Sequence, residues 1–313
     1  MNICVLGGSG FVGTELVTRL AYQGHWVRVP TRNLARAERL RVLDTAELRE
    51  VNVHDSRVLG RLFNDCDAVI NLIGILNERG RATFDTVHTA LATKVVTAAR
   101  AAGVRRLLHM SSLGASEQAP SRYLRSKAAA EGVVRAVPRP EQPHPAVTIF
   151  RPSVIFGAGD SLTNRFASLL RVSAGILPLA RAGARFAPIS VLDVVEAFVR
   201  VLGRPASAGA TYELCGPAVL TLADIVRLTA RVADLPCRII PLPDVLARIQ
   251  GIVMGLLPGK PFSLDNFRSL TLDSVCRENG CATLGIAPRP MMAELPLYLA
   301  PGSRLQLDER GYR

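Results

Sequence analysis

A chain of 313 residues, 49% hydrophobic and 20% charged, exceeds one average domain and can bury a sizeable core; it holds no low-complexity tract and no repeat. Its net charge of +12 is spread along the chain, and aromatics make up only 5%, which excludes a basic nucleic-acid-binding surface and leaves anionic lipid or an acidic partner as the attraction such charge serves. No apolar run approaches the ~18 residues of a membrane span, and the N-terminus enters a strand with no leader-like stretch, so a cytoplasmic location is expected.

In chain order, Ile3, Val5 and Leu6 form a short buried strand, and Leu16, Val17 and Leu20 recur at helical spacing. Between them lies Gly7-Gly8-Ser9-Gly10-Phe11-Val12-Gly13. Glycines at a strand-to-helix junction permit a sharp reversal and let a phosphate reach the backbone N–H groups at the start of the helix, where the dipole favours negative charge. Two registers are present, Gly8-x-Gly10-x-x-Gly13 and Gly7-x-x-Gly10-x-x-Gly13, and either suits the pyrophosphate of a nicotinamide dinucleotide.

His25 to Val29 is the second strand. An NAD-selective fold places an acidic residue at its end; this chain has Pro30-Thr31-Arg32-Asn33 instead. A guanidinium there pairs with a 2′-phosphate, so Thr31 and Arg32 favour NADP(H), with NAD(H) as the alternative. A basic helix over 34–42, a strand over 48–53 and a helix over 58–63 follow. Asp67 to Gly74 is apolar until Asn71, as a strand covered on both faces should be, and places Ile73 and Gly74 at the carboxyl edge where open α/β sheets bind ligands. A helix over 83–102 and a strand over 104–110 lead to Ser111-Ser112. This alternation predicts a doubly wound parallel α/β sheet.

Tyr123-Leu-Arg-Ser-Lys127 sets a phenol and an ammonium one helical turn apart. The lysine can lower the phenol's pKa and hold a ribose, the tyrosine can pass a proton to a substrate oxygen, and Ser112 can hold that oxygen. The helix is expected to reach Val137. After a proline-rich loop, 138–145, and a strand, Val147 to Phe150, comes Arg151-Pro152-Ser153-Val154-Ile-Phe-Gly157, whose backbone is expected to meet the nicotinamide.

The glycines, Arg32, Ser112, Tyr123-x-x-x-Lys127 and Arg151-Pro-x-x-x-Phe-Gly157 resemble the extended and atypical short-chain dehydrogenase/reductase superfamily, which is epimerase/dehydratase-like. Asn71-Leu-Ile-Gly-Ile-Leu, Tyr123-Leu-Arg-Ser-Lys-Ala and Tyr212-Glu-Leu-Cys-Gly-Pro217 resemble, within it, the bacterial relatives of the NADPH-binding accessory subunit nine of respiratory complex I. The resemblance implies a Rossmann domain with tightly held NADPH, a smaller C-terminal region, and a respiratory or quinone-related partner at the inner face of the membrane. It does not by itself imply turnover, because the mitochondrial relative is an accessory subunit; an oxidoreductase and a non-catalytic accessory or assembly protein both fit it. The adenine-side position, often aspartate in the superfamily, is Asn52, followed by Val53, and the last motif ends Phe156-Gly157-Ala158 where extended enzymes commonly have Tyr-Gly-Pro.

The expected domains are 1–160, binding the dinucleotide, and a smaller α+β region over 161–313, with part of 186–203 free to return to the first. In the second half, 161–172, 191–202 and 221–232 read as helices, with Thr221 as N-cap and Asp193 capping or lining the pocket. Residues 236–243 read as a connector, and 243–257 as an amphipathic helix that covers the small domain or docks to a membrane or partner, with Arg248 and Lys260 near anionic headgroups. The tail over 288–313 alternates prolines and charges as a loosely docked extension. The six cysteines contain no CxxC pair, so reduced thiols are expected, with neither a metal site nor a disulfide framework. The oligomeric state has no signature in the sequence.

Overall fold

The computed structural model describes residues 1–136, 145–257, 260 and 262–303. The expected loop over 138–145 lies outside these residues except for its last position, as do Val137 and the last ten residues of the tail. In chain order the elements are β1 (Asn2–Leu6), α1 (Phe11–Tyr22), β2 (Trp26–Thr31), β3 (Ala46–Glu50), α2 (Ser56–Phe63), β4 (Ala68–Asn71), α3 (Leu91–Ala101), β5 (Arg106–Met110), α4 (Arg122–Arg135), β6 (Ala146–Pro152) and β7 (Ile155–Phe156). They continue with α5 (Thr163–Val172), β8 (Ile176–Ala180), β9 (Arg185–Phe186), β10 (Ile189–Ser190), α6 (Val191–Leu202), β11 (Thr211–Leu214), β12 (Leu220–Thr221), α7 (Leu222–Val232), β13 (Arg238–Leu242), α8 (Asp244–Leu256), α9 (Leu264–Ser269), α10 (Gly280–Thr283) and α11 (Met291–Leu299). A 3₁₀ segment, Leu34–Leu40, follows β2, and a π-helical turn, Asp85–Ala90, opens α3.

The chain forms two compact units, Met1–Arg151 with Val194–Tyr212, and Pro152–Asp193 with Glu213–Arg313. The first is built on a seven-stranded sheet of order β11-β6-β5-β4-β1-β2-β3, the doubly wound order expected, with β1 paired parallel to both β2 and β4. Every residue of β4 is buried, as its apolar run required. Leu59 and Phe63 of α2, Leu91 and Val95 of α3, and Ala130 and Val134 of α4 close one core against the sheet. The stretch after α6 belongs to this unit because the buried guanidinium of Arg106 donates to Thr148 Oγ1 (3.1 Å), Val201 O (2.9 Å) and Ser207 Oγ (2.8 Å), and because Phe150 stacks on Phe198 at 4.0 Å between ring centroids. The bonds of its two terminal nitrogens offset much of the cost of burying this cation.

The second unit departs from three expectations. The connector over 236–243 contains β13, paired parallel with β8 in a two-stranded sheet; Pro241 is admitted because such a sheet is all edge and its missing N–H breaks no central ladder. The tail carries α11, whose Met291, Leu295, Tyr298 and Leu299 are buried in a core with Phe156 and Ile225, so this part of it is docked firmly. Cys215 and Cys276 form a disulfide across 61 residues, and Cys281 lies beside them with its thiol 3.9 Å from Cys215 O. The pairing is created by the fold and leaves no short-spacing signature. Cys4, Cys66, Cys237 and Cys281 are free thiols. Helix α7 opens with Thr221 as N-cap in a capping box with Asp224. Asp193 accepts from the Arg289 N–H and guanidinium, both at 2.7 Å, within its own unit. Among the described residues no helix is long and apolar enough to cross a membrane, and no cluster of His, Cys, Asp and Glu could hold a metal ion.

Candidate functional site

The glycine loop of the first unit joins β1 to α1, and its glycines do different work. Gly7 has φ +81°, a region that L side chains rarely adopt, and Gly8 backs onto β2, where a Cβ would stand 2.8 Å from Val29 Cγ1. At Gly13 a Cβ would stand 2.1 Å from Gly7 O, so the first turn of α1 packs on the loop backbone itself. Gly10 differs: a Cβ there would meet Gly7 O at 3.2 Å and nothing else within 4 Å. Chain packing is therefore tight at Gly10 but less restrictive than at Gly8 or Gly13. Gly10 is also the N-cap of α1; it has no side chain to cap the helix, and no acidic residue lies in the first turn. With Ser9, Phe11 and Val12 around it, this helix end is open to an anion in the way a pyrophosphate requires.

Ser9 Oγ shares a hydrogen bond of 3.2 Å with Thr31 Oγ1, tying the loop to the end of β2. Thr31 is buried and donates to Asn33 O at 3.0 Å, which shapes the turn that leaves Arg32 exposed. Arg32 makes no ion pair among the described residues, and it is close enough to His54, with Lys94, to hold that imidazole's pKa below its ordinary value after burial. Lys94 Nζ donates to His54 O at 2.7 Å. Two cations and an imidazole thus gather at the carboxyl end of β2 and β3. Asn52 turns its Oδ1 to the His54 N–H at 3.0 Å, and Val53 is buried in the core.

At the end of β4, Asn71 organises the exit. Its Oδ1 accepts from the Ile73 N–H at 3.2 Å, so its Nδ2 donates to His109 Nδ1 at 3.3 Å and His109 carries its proton on Nε2. Burial, then the nearby Lys127 charge, depress the His109 pKa to about 3, and the ring is neutral. Gly74 lies under Lys127, where a Cβ would stand 3.0 Å from Nζ.

Helix α4 starts at Ser121, whose hydroxyl accepts from the Leu124 N–H. Tyr123 is hydrogen-bonded to Ser112 through their side chains. Its ring meets Phe84 at 5.9 Å and His88 at 5.7 Å, both edge to face. Burial pushes the phenol's pKa up, and the Ser112 hydrogen bond pulls against that. The expected lowering by Lys127 is not what sets it: the Lys127 amine is turned to Met110 O, to which it donates at 3.1 Å. Lys127 is only 4% exposed, and burial lowers its pKa to about 8, opposed by the charge of Glu131. Glu131 receives the Arg151 guanidinium through two bonds of 2.8 and 2.6 Å, so the arginine of the Arg-Pro motif anchors the helix that carries Tyr123 and Lys127.

His88, which no motif in the sequence singles out, also belongs to this group. The Ile75 N–H donates to His88 Nε2 at 3.0 Å, so Nδ1 donates to Ser126 Oγ at 2.8 Å, and Ser126 Oγ donates to Tyr123 O at 2.7 Å. This neutral imidazole, its pKa driven to about 2 by burial and the Lys127 charge, locks α4 to the loop after β4. A lone histidine in a threonine-rich helix start carries no signal of such a role. Ser112, Tyr123, Lys127 and Gly74 therefore converge, while the glycine loop, Thr31 and Arg32 form a second group on the same unit. Pro152, Ser153 and Val154 begin the second unit, where the Ser153 hydroxyl donates to Ser274 O at 2.7 Å.

The chain is similar over its length to solved proteins of this fold. The UDP-glucuronic acid 4-epimerase from Bacillus cereus, solved with UDP-glucuronic acid and NAD, aligns over 100% of both chains with a TM-score of 0.75 at 15% identity. Among curated sequences, subunit 9 of the mitochondrial NADH dehydrogenase (ubiquinone) 1 alpha subcomplex from Arabidopsis thaliana is 32% identical over 295 residues, 88% of this chain and 71% of that protein. Ceramide reductase from Caulobacter vibrioides is 32% identical over 242 residues, 77% of this chain and 74% of that protein. The family model for the NAD dependent epimerase/dehydratase family matches residues 3–215, and the chain belongs to that family.

Proposed function

We propose that this protein binds NADP(H) on its first unit and reduces a carbonyl or quinone-type substrate there, or oxidises the corresponding alcohol. The observation that supports catalysis is the Ser112–Tyr123 hydrogen bond beside the buried Lys127, on the unit that carries the open N-terminus of α1. The residues fit a dinucleotide: Ser9, Gly10, Phe11 and Val12 would hold the pyrophosphate, Thr31 and Arg32 a 2′-phosphate, Asn52 and Val53 the adenine edge, and Lys127 with Gly74 the nicotinamide ribose. A bound dihydronicotinamide would supply the hydride. Ser112 Oγ orients the substrate oxygen, and Tyr123 delivers its phenolic proton to that oxygen as charge develops on it. Ser112 then donates to the phenolate left behind, which is reprotonated from solvent, while Lys127, protonated below about pH 8, holds the ribose and adds positive charge to the site.

The relatives supply two substrate directions, a ceramide and the quinone machinery of complex I. They also support a second reading, an accessory protein that holds its nucleotide without turnover. That reading is favoured by the phenol's pKa, which burial raises and Lys127 does not bring down. The test is to purify the protein, identify the bound nucleotide, and follow NADPH absorbance with ketones, quinones, ceramides and sugar nucleotides. Turnover is the expected result. Tight NADPH without turnover, together with co-purification of a membrane complex, would establish the accessory role instead.

A further inference from the structure

Helix α8 is amphipathic in an inverted sense. The side it lays on its own unit is made of small residues: Ala247 packs with Ala180 and Phe267, and Gly251 comes so close to α9 that a Cβ would stand 3.1 Å from Leu264 N. Its large aliphatic residues, Val245, Leu246, Ile249, Ile252, Val253 and Leu256, are all more than half exposed, Leu256 to 84%. Three of its polar side chains also reach the unit, with Arg248 at the exposed margin. Asp244 pairs with Arg181 at 2.7 Å, Arg248 lies over the Phe267 ring at 5.8 Å, and Gln250 donates to Pro178 O at 3.1 Å. A contiguous aliphatic face of this size is rare on a monomeric soluble protein unless something covers it.

We propose that α8 is a membrane-surface anchor that lies in the headgroup region of an anionic phospholipid bilayer. Charge selects this occupant. Around α8 the sequence holds Arg238, Arg248, Lys260 and Arg268 against Asp244, Asp265 and Asp273, and two of these acids are already paired, Asp244 with Arg181 and Asp273 with Arg185. A greasy strip flanked by cations complements acyl chains beneath anionic headgroups. A second copy of the same face would bring like charges together, which disfavours self-association. The outward face also offers no carboxylate, hydroxyl or amide on α8 with which a protein partner's polar rim could pair, whereas lipid tails require none.

The test uses the full chain and vesicles of phosphatidylcholine alone or mixed with phosphatidylglycerol. The protein should float with the mixed vesicles, and binding should weaken on raising salt. Ile249→Ser with Val253→Ser, two exposed sites, should lower the bound fraction at least about tenfold, the order expected on withdrawing two aliphatic side chains from hydrocarbon, with the thermal unfolding curve unchanged. Arg248→Gln should weaken binding to the mixed vesicles alone. Failure to float with anionic vesicles, or equal flotation of the double variant, would overturn the proposal. So would a solution dimer that the double variant splits into monomers. None of these readouts depends on nucleotide binding or turnover, so the anchor can fail while the proposed reductase stands, and the reverse.

Discussion

Helices α4 and α8 treat the same residue types in opposite ways. Helix α4 buries a lysine and a glutamate, at 4% and 3% exposure, while α8 leaves six large aliphatic residues in water. Each arrangement works against folding: a buried ammonium is expensive unless paired, and exposed aliphatic surface forgoes the burial that stabilises a core. Where local rules are broken this consistently, the compensation comes from what the residues do. For α4 the structure supplies part of it, in the Arg151–Glu131 clasp, the Met110 carbonyl and the His88–Ser126 lock. For α8 the described residues supply none on the outward side.

The sharpest way to break this contrast is Lys127→Met. Burial holds the amine near 8 against an ordinary 10.5, so as pH falls the unfolded chain takes up the proton first. Stability linked to this group is therefore lost between about 10.5 and 8 and stays lost below that range. At pH 7 the methionine variant should be more stable by about 2–3 kcal/mol in urea unfolding, a gain that shrinks toward zero above pH 10.5, while turnover is abolished. A variant less stable at pH 7 would show that the buried charge is structural.

A smaller effect is expected at Arg32, where no ion pair among the described residues is lost. Arg32→Ala should weaken NADPH about tenfold in a fluorescence titration and leave NADH within about twofold, since one charge-assisted contact to the 2′-phosphate is removed. Equal losses for both would count against the phosphate role. Smallest is Thr221→Ala, which removes the capping box of α7 and should cost about 1 kcal/mol with no change in nucleotide affinity.

The features read correctly from sequence are those written locally. The Gly7 to Gly13 loop, the uniformly apolar β4 and the order of strands follow from glycine placement and from apolar runs broken at turns, and the sheet in which they meet is the doubly wound one expected. What escaped depends on partners far along the chain. Cys215 finds Cys276 only once β11 is in place, and β13 becomes a strand because β8 offers it an edge. Helix α11 was legible in principle, since Met291, Leu295, Tyr298 and Leu299 recur at i, i+4, i+7 and i+8; the surrounding prolines masked it, although Pro290 marks its start. Tyr123 and Lys127 were visible as a pair, but the phenol's pKa depends on where the amine points, and that is set by the Met110 carbonyl and Gly74, elements no spacing rule connects.

Proton donation by Tyr123 is tested by single-turnover oxidation of protein-bound NADPH by the best carbonyl or quinone acceptor, followed across pH in the wild type and in Tyr123→Phe. The wild-type rate should fall as pH rises through about 8, where Lys127 loses its proton. The Tyr123→Phe rate should be lower by about 10²–10⁴-fold, the usual contribution of a positioned proton donor. A Tyr123→Phe protein that oxidises NADPH at the wild-type rate, with the same pH profile, would contradict that donation.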